Sequence, residues 1–367
     1  MRLQQSFLRH LVPWKWDVST APRLGCVCAL SVLLFCSPSM AHAQVPREWD
    51  SYKSKFIQQD GRVIDFVNKQ MSHSEGQGFT MYLALAFGEQ ALFDTVWTWT
   101  RNNLVTVGRD GLAAWAWGRR DDGSWGVLDA NDASDADIFL AWTLLRAGER
   151  WKNKDYIDAA RAMTGAIQAK LTVEAGGRLI LLPGREGFVK PGEIAFNPSY
   201  FVFPAFHDLA RAGDTAFWRR LHASCRELVG KSLAGPLKLP PDWMAFSGGS
   251  LTPWGDKGRY FSYDAIRVPL YLSWDLDRAS LAGFTDVIGL FKKSGSLPAR
   301  FGLTPGADDE GEAPAGFYAV LARAAETLGD GPGAAALWEK AEAKLANEKE
   351  DYYSHVLFLM SKTRGLQ

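Results

Sequence analysis

Apolar residues recur along most of the chain at the three- and four-residue spacing of α-helices, and glycines or prolines separate the segments that show it. The pattern predicts about twelve helices, arranged in close pairs with short links such as Gly88-Glu89 and Gly213-Asp214. The predicted ranges are 47–59, 75–88, 90–104, 135–149, 153–171, 199–213, 214–230, 262–275, 279–294, 314–327, 332–346 and 351–362.

The two helices of a predicted pair often differ in polarity. Residues 81–87 are apolar on every side, whereas residues 156–171 form an amphipathic helix. A helix that is apolar all round must be enclosed by neighbours, so an inner ring of helices surrounded by an outer ring is expected. Since there is no strict repeat and no linker rich in Pro, Ser or Thr, residues 44–367 are predicted to form one all-α domain.

Two segments, 105–132 and 232–261, do not fit a helical pattern and contain glycines together with several tryptophans. Long irregular segments in a compact domain often form a functional surface. The chain has 15 tryptophans, and sugar rings stack on flat aromatic faces, so Trp115, Trp117 and Trp243 are candidate sugar contacts. The alternative is that these tryptophans only pack the loops down.

The N-terminal segment has the features of a signal peptide. Basic residues precede an apolar run at 27–35, and Ala41-His42-Ala43 supplies a small-x-small cleavage site. The run is shorter than the roughly 20 residues that a membrane-spanning helix needs. Residues 1–43 are therefore predicted to be a signal peptide, the protein is expected to be exported, and an uncleaved membrane anchor is the alternative.

Charge and cysteine content exclude several classes of partner. The 41 basic and 41 acidic residues balance, so there is no basic surface for nucleic acid or an anionic membrane. Three of the four cysteines lie in the predicted signal peptide, which leaves Cys225 alone. A disulfide within the mature chain and a metal site of paired cysteines are thereby excluded.

Three segments place acidic residues where they could take part in chemistry. In Ser74-Glu75-Gly76-Gln77 the spacing of Ser and Gln predicts a capping box, with Glu75 in the first turn of a helix. Glu75 could simply complement the helix dipole. Gly76 and Gly78 favour a ligand site instead, because glycine lets a ligand approach the backbone.

The other two segments are Asn131-Asp132-Ala133-Ser134-Asp135-Ala136-Asp137 and Tyr263-Asp264-Ala265-Ile266-Arg267. The three carboxylates of the first segment lie within six residues and would repel one another unless a ligand or a reaction uses them. Calcium is one possible ligand, but the spacing does not match an EF-hand loop. In the second, Asp264 and Arg267 are three residues apart, so the guanidinium is expected to keep the carboxylate ionised. Helix capping and a structural ion pair are the respective alternatives.

Taken together, these segments resemble the signature segments of glycoside hydrolase family 8. The resemblance extends along nearly the whole mature chain and is closest to the endoglucanases associated with bacterial cellulose synthase. Further matching segments are Trp99-Thr100-Arg101-Asn102-Asn103-Leu104, Val127-Leu128-Asp129, Phe196-Asn197-Pro198-Ser199-Tyr200 and Pro241-Asp242-Trp243. The family fold is an (α/α)6 barrel, which agrees with the number of helices predicted from the pattern.

The resemblance implies a role for each acid. Glu75 matches the general acid, Asp264 matches the general base, and Asp135 matches a carboxylate that binds and distorts the sugar at the cleavage point. The predicted substrate-binding residues are Tyr263, Arg267, Trp115, Trp117, Tyr200 and Trp243. An inverting mechanism follows from the resemblance and not from the sequence spacing. A helix N-terminus favours the ionised form of Glu75, so we expect Asp135, or burial against bound sugar, to outweigh the dipole and raise the Glu75 pKa.

The expected partner is a β-1,4-glucan chain, with a functional link to a cellulose synthase complex and no cofactor or metal. Xylan or chitosan could be the substrate instead. A non-catalytic glucan-binding component of an export complex is the alternative from another class of protein. A lyase is disfavoured, because none of the histidines at positions 73, 207, 222 and 355 has an evident partner in the sequence.

Overall fold

Thirteen α-helices make up about half of the residues that the computed structural model describes, 45–108 and 110–366. The predicted signal peptide, residues 1–43, lies outside the described residues. The helices are α1 (Arg47–Phe56), α2 (Ser74–Phe87), α3 (Gln90–Thr100), α4 (Ser134–Trp151), α5 (Lys154–Lys170), α6 (Phe203–Ala212), α7 (Thr215–Ser232), α8 (Arg267–Trp274), α9 (Arg278–Leu281), α10 (Thr285–Ser294), α11 (Ala315–Leu328), α12 (Gly331–Leu345) and α13 (Tyr352–Lys362).

The predicted helices differ from the observed ones at three places. The range 199–213 begins too early, because Pro198–Tyr200 forms a 3₁₀ turn and α6 starts at Phe203. The range 262–275 also begins too early, since residues 263–266 form a turn ahead of α8. The range 279–294 is divided into α9, a short 3₁₀ segment and α10.

Six helices form a closed inner ring. In order around the ring, α2 contacts α4, α4 contacts α6, α6 contacts α8, α8 contacts α11, α11 contacts α13, and α13 returns to α2. Six further helices pack outside this ring, with α3 against α2, α5 against α4, α7 against α6, α12 against α11, α1 against α13, and α10 against α11 and α12. The predicted (α/α)6 barrel is therefore confirmed.

The polarity of the helices explains which ones are inside. Almost every residue of α2 is buried, whereas α5 buries only one side and exposes its charged residues. Aromatic rings fill the middle of the inner ring, where Tyr82 of α2 stacks on Trp274 of α8 at 4.8 Å between ring centroids. Burial of such large rings contributes much of the hydrophobic stabilisation of the barrel.

Short antiparallel strands occupy the connections, including both segments predicted to be non-helical. The strands are β1 (Ser72–His73), β2 (Ala116–Arg119), β3 (Trp125–Asp129), β4 (Thr172–Ala175), β5 (Arg178–Leu181), β6 (Val189–Lys190), β7 (Glu193–Phe196), β8 (Met244–Ser247), β9 (Ser250–Pro253), β10 (Tyr260–Phe261) and β11 (Phe301–Gly302). They form sheets in the orders β1-β2-β3, β4-β5, β6-β7-β8-β9 and β10-β11.

Several strands lead directly into inner helices. β1 runs into α2, β3 precedes α4, β7 precedes α6 and β10 precedes α8. The sheets therefore lie beside the N-terminal ends of the inner helices, and the segments between strand and helix supply side chains to that end of the barrel.

No helix within residues 45–108 and 110–366 is both long and apolar enough to cross a lipid bilayer.

Candidate active site

Four of the side chains predicted for catalysis and substrate binding meet at the N-terminal end of the inner ring. Arg267, the first residue of α8, has a side chain that is 2% exposed, and its Nη1 forms an ion pair with Oε2 of Glu75 at the start of α2. Its Nη2 lies 3.4 Å from Oδ2 of Asp135 on α4 and 3.5 Å from Oδ1 of Asp264. One guanidinium therefore contacts all three acids that the sequence singled out.

Two further residues hold the guanidinium in place. Nη2 of Arg267 donates a hydrogen bond to Oγ of Ser199 over 2.8 Å. The ring of Tyr200 lies 5.6 Å from the guanidinium carbon, which is within the range of a cation–π contact. A buried arginine needs this many partners, because an unpaired charge in the interior is strongly destabilising.

The pKa values of Glu75 and Asp135 are shifted in opposite directions. Burial would raise the pKa of Glu75, but the Arg267 guanidinium, His73 and a hydrogen bond from Asp135 hold this pKa below its ordinary value. Burial raises the pKa of Asp135 well above its ordinary value, against the attraction of Arg267 and with a further contribution from Glu75. The prediction that Asp135 raises the Glu75 pKa is wrong, because Glu75 makes the ion pair with Arg267 while Asp135 is more deeply buried. The effect of burial against a bound sugar stays a prediction.

Asp264 lies in the turn before α8, and a network of hydrogen bonds fixes that turn. Oδ1 of Asp242 accepts from the backbone N–H groups of Ser262 and Ala265, each over 2.8 Å. Trp243 donates from its indole Nε1 to Oδ2 of Asp264 over 2.9 Å, and Nζ of Lys257 is 3.6 Å from the same oxygen. The position of Asp264 is thus set by residues that precede it by about twenty positions in the chain.

Asp242 is itself a buried acid. Burial, together with the nearby charge of Asp264, raises its pKa to about 6.

The capping of α2 differs from the predicted capping box. The N-cap is His73, not Ser74, and Nδ1 of His73 accepts from the backbone N–H of Gly76 over 3.3 Å. Gln77 does not reach back to the cap; its Oε1 accepts from the backbone N–H of Val63 over 2.7 Å. The prediction failed because the Gln77 side chain is used in tertiary contacts.

Gly76 and Gly78 also have a different role from the one expected. A Cβ atom on Gly76 would lie 2.8 Å from the hydroxyl of Tyr352, and one on Gly78 would lie 3.1 Å from Cβ of Phe139. These glycines let the side chains of neighbouring helices approach α2. In the structure the close approach is made by the protein's own side chains.

The predicted aromatic contacts lie in two groups beside the carboxylates. Trp243 stacks on Phe188 at 5.7 Å with an interplanar angle of 18°, and Tyr200 lies 6.1 Å from Trp243. In the other group Trp117 stacks on Trp125, which is 44% exposed, at 5.3 Å and 26°. The Trp117 group is close to Glu75 because Trp117 pairs with the strand residue Ser72, three positions before the acid.

The remaining two predicted contacts are exposed near the acids. Trp115 is partly exposed, and its carbonyl accepts from the backbone N–H of Ser74 over 3.0 Å. Tyr263 is 47% exposed, and its carbonyl accepts a hydrogen bond from the hydroxyl of Tyr353 on α13 over 2.7 Å. All nine predicted site residues therefore lie at the same end of the barrel.

Sequence reasoning missed several supporting residues. Asp242 and Ser199 stood inside matching segments but were given no role, and the contact of Tyr353 with the Tyr263 backbone had no sequence signal. His73 and Asp65 form a pair, with Nε2 of His73 at 3.3 Å from Oδ2 of Asp65. Nothing in the sequence indicated the His73–Asp65 pair. The sequence showed only that His73 lies two residues before Glu75 and so could be near the site.

Comparisons with known proteins identify relatives along almost the whole chain. The family model described as "Glycosyl hydrolases family 8" matches residues 5–365. A probable endoglucanase of Novacetimonas hansenii is 35% identical over 320 residues, covering 86% of this chain and 89% of that protein. An endoglucanase of Cellulomonas uda is 38% identical over 227 residues, which is 62% of each chain.

A solved structure shows the same similarity in three dimensions. The endo-β-1,4-glucanase CMCax of Acetobacter xylinum superposes with a TM-score of 0.77 at 35% identity, covering 88% of this chain and 97% of that chain.

Proposed function

This chain belongs to glycosyl hydrolase family 8 and is an endoglucanase, and we propose that it cleaves β-1,4-glucan with inversion, using Glu75 as general acid and Asp264 as general base. The observation that supports this proposal most directly is the shared contact of both carboxylates with Arg267. Two acids on one guanidinium, beside exposed aromatic rings, form a site in which a sugar chain can meet a proton donor and a proton acceptor.

Cleavage with inversion requires unlike protonation of two carboxyl groups. One donates a proton to the departing glycosidic oxygen, and the other takes a proton from the water that attacks the anomeric carbon from the opposite face. In the proposed mechanism Asp264 is the proton acceptor, and its Oδ2 is fixed by Trp243 while the side chain remains partly exposed to solvent. Partial exposure leaves a route for the attacking water.

The proton for Glu75 comes from the pair that it forms with Asp135. The raised pKa of Asp135 and the lowered pKa of Glu75 mean that a proton shared by the two acids resides on Asp135 in the free enzyme. In the proposed mechanism this proton passes from Asp135 to Glu75 before it reaches the glycosidic oxygen. Asp135 therefore serves as the proton reservoir of the acid.

The test is a comparison of Glu75→Gln and Asp264→Asn with the parent chain on carboxymethylcellulose. Each variant should fold normally and lose several orders of magnitude in rate, because each lacks one of the two proton transfers. Asp137→Asn is a matched control, since Asp137 is another buried acid of α4 whose carboxylate binds the Ala113 backbone instead. Equal losses in all three variants would contradict the assignment.

Two further measurements define the reaction. The anomeric form of the first product, followed by NMR on a soluble cello-oligosaccharide, distinguishes inversion from retention. Parallel assays on carboxymethylcellulose, xylan and chitosan identify the polymer, and a preference for xylan or chitosan would replace cellulose as the substrate. Glucan binding without release of reducing ends would support a non-catalytic component.

We also propose export to the periplasm and action on newly made cellulose. The support is the signal-peptide pattern of residues 1–43 and the resemblance of the acidic segments to endoglucanases associated with cellulose synthase. N-terminal sequencing of the protein from a periplasmic fraction should begin at Gln44. In a cellulose-producing bacterium that lacks its own endoglucanase, the parent chain should restore normal cellulose and the Glu75→Gln variant should not.

A further inference from the structure

A cluster of two histidines and an aspartate lies away from the carboxylates. His207 is on α6, His222 is on α7, and Asp275 follows the last residue of α8. Arg267 begins α8, so at 1.5 Å per residue Asp275 is about 12 Å further along the helix. The cluster is therefore separate from the active site.

The three side chains direct their ligand atoms towards one another. Nε2 of His207 lies 3.0 Å from Oδ1 of Asp275, and Nε2 of His222 lies 3.4 Å from Oδ2 of the same carboxylate. All three residues offer a ligand atom within 4.8 Å of the others. Neighbouring ligands around a tetrahedral Zn²⁺ ion with bonds of about 2.0–2.1 Å are about 3.3 Å apart. Each His–Asp distance is close to this separation, with the two imidazoles facing different oxygens of one carboxylate.

Burial makes this cluster different from a surface ion pair. The side chain of Asp275 is 5% exposed, and Nε2 of His222 is buried without a hydrogen bond of regular geometry despite the nearby carboxylate. Buried polar atoms normally have a partner, and a metal ion between the two residues would bind both. His207 is 63% exposed on its side chain, which leaves the cluster open to solvent on one side.

The neighbouring positive charges already have acidic partners. Arg226 forms an ion pair with Asp277, and Arg146 lies 3.6 Å from Oδ1 of Asp208. Repulsion of a cation from this region is therefore reduced. A cavity of about 230 Å³, lined in part by His207, Asp208 and Asp275, gives a water molecule room to complete the coordination.

We propose that His207, His222 and Asp275 bind a divalent transition-metal ion, with Zn²⁺ the best match to two imidazoles and one carboxylate. The ion would connect α6, α7 and α8 and so stabilise the barrel without taking part in glucan cleavage. The sequence predicted no metal site, because the three ligands come from three different helices and have no local spacing that marks them.

The experiment uses the full mature chain without an affinity tag, stripped of metal by a chelator. Zn²⁺ is added at neutral pH, and binding is followed by calorimetry and by the thermal unfolding midpoint. One ion per chain should bind with a Kd of roughly micromolar, and Tm should rise by several degrees because the ion binds only the folded state. Co²⁺ should give the visible absorption of a tetrahedral site.

Single variants test the ligands. His207→Ala changes an exposed side chain and should weaken Zn²⁺ binding by on the order of 100-fold, and His222→Ala should do the same. His355→Gln is the control, because it removes a histidine whose Nε2 contacts the Glu348 carbonyl and that is not part of the cluster, so the affinity should be unchanged. Glucanase activity should be the same with and without Zn²⁺. No saturable binding to the parent chain, or equal binding by His207→Ala, would overturn the proposal.

Discussion

The indole Nε1–H of Trp243 donates a hydrogen bond to Oδ2 of Asp264 over 2.9 Å, so a neutral donor fixes one oxygen of the proposed base. Trp243→Phe keeps a ring stacked on Phe188 but removes the donor. We expect kcat to fall about tenfold with little change in KM, because the carboxylate is no longer held for the transition state. Steady-state kinetics on a soluble cellulose derivative measure this effect.

Trp254→Phe is the control for that prediction. Trp254 packs against Trp243 at 5.3 Å, but its indole N–H points to Glu193, so the substitution changes the aromatic group without touching Asp264. Its kcat should stay close to that of the parent chain. The same loss in both variants would mean that ring packing, and not the hydrogen bond, is important.

Asp242 should make the stability of the protein depend on pH. Its pKa is raised from 3.8 to about 6, so the folded state binds the proton more tightly than the unfolded chain. This stabilisation is complete below the unfolded pKa and is lost as pH rises through about 6. The rise of about two units in the Asp242 pKa corresponds to about 3 kcal/mol of stabilisation of the folded state. Asp242→Asn keeps an oxygen acceptor for the backbone and cannot titrate.

Urea denaturation of both proteins at several pH values between 4 and 7 measures the difference. The free energy of unfolding of the parent chain should decline relative to the variant across this range. Asp135 and Asp137 also have raised pKa values, but both remain in the variant and cancel in the comparison. Parallel curves for the two proteins would contradict the prediction.

Asp135→Asn should change the pH dependence of the reaction. Removing this carboxyl removes the proton reservoir and leaves the Arg267 charge to act on Glu75 and Asp264. The alkaline limb of the pH–rate profile should therefore move to lower pH, and the rate at neutral pH should fall about 100-fold. Asp137 is two residues further along α4 and binds the Ala113 backbone, so Asp137→Asn should leave the limb in place. An unmoved limb in Asp135→Asn would exclude Asp135 as the source of the proton.

His73 should matter as the cap of the helix that carries Glu75. The Nδ1 atom of His73 faces the backbone N–H of Gly76, and its Nε2 atom faces Asp65. His73→Ala should cost about 1 kcal/mol of stability and lower kcat by misplacing Glu75. His73→Asn supplies an oxygen acceptor at the same place and should recover most of both losses. Chemical denaturation measures the stability of both variants, and steady-state kinetics measure their kcat. No recovery in His73→Asn would contradict the prediction.

The helices were predictable because the pattern of apolar and polar residues in each segment reflects where that helix lies in the fold. A helix such as α2, apolar on all sides, can only lie inside, and the periodicity that reveals it is local to the segment. The start of α8 was misplaced for the opposite reason. The turn at 263–266 is held by Asp242, which lies on a different strand connection, and no pattern within 262–275 records that contact.

The site shows the same division. Glu75, Asp135, Asp264 and Arg267 could be named from the segments that contain them, but the direction of the proton between Glu75 and Asp135 could not. That direction depends on which carboxylate the guanidinium contacts more closely and which one is more deeply buried. The partner of His207 and His222 could not be predicted either, because Asp275 contacts both histidines from a distant part of the chain.

The amino-acid sequence alone determined the helical architecture and the identity of the acids, because periodicity and short segments are properties of neighbouring residues. Only the tertiary structure decided the protonation of the acids, the cap of α2, the anchoring of Asp264 and the histidine cluster. Each of these depends on distances between residues far apart in the chain, and electrostatic and hydrogen-bond energies change steeply with those distances.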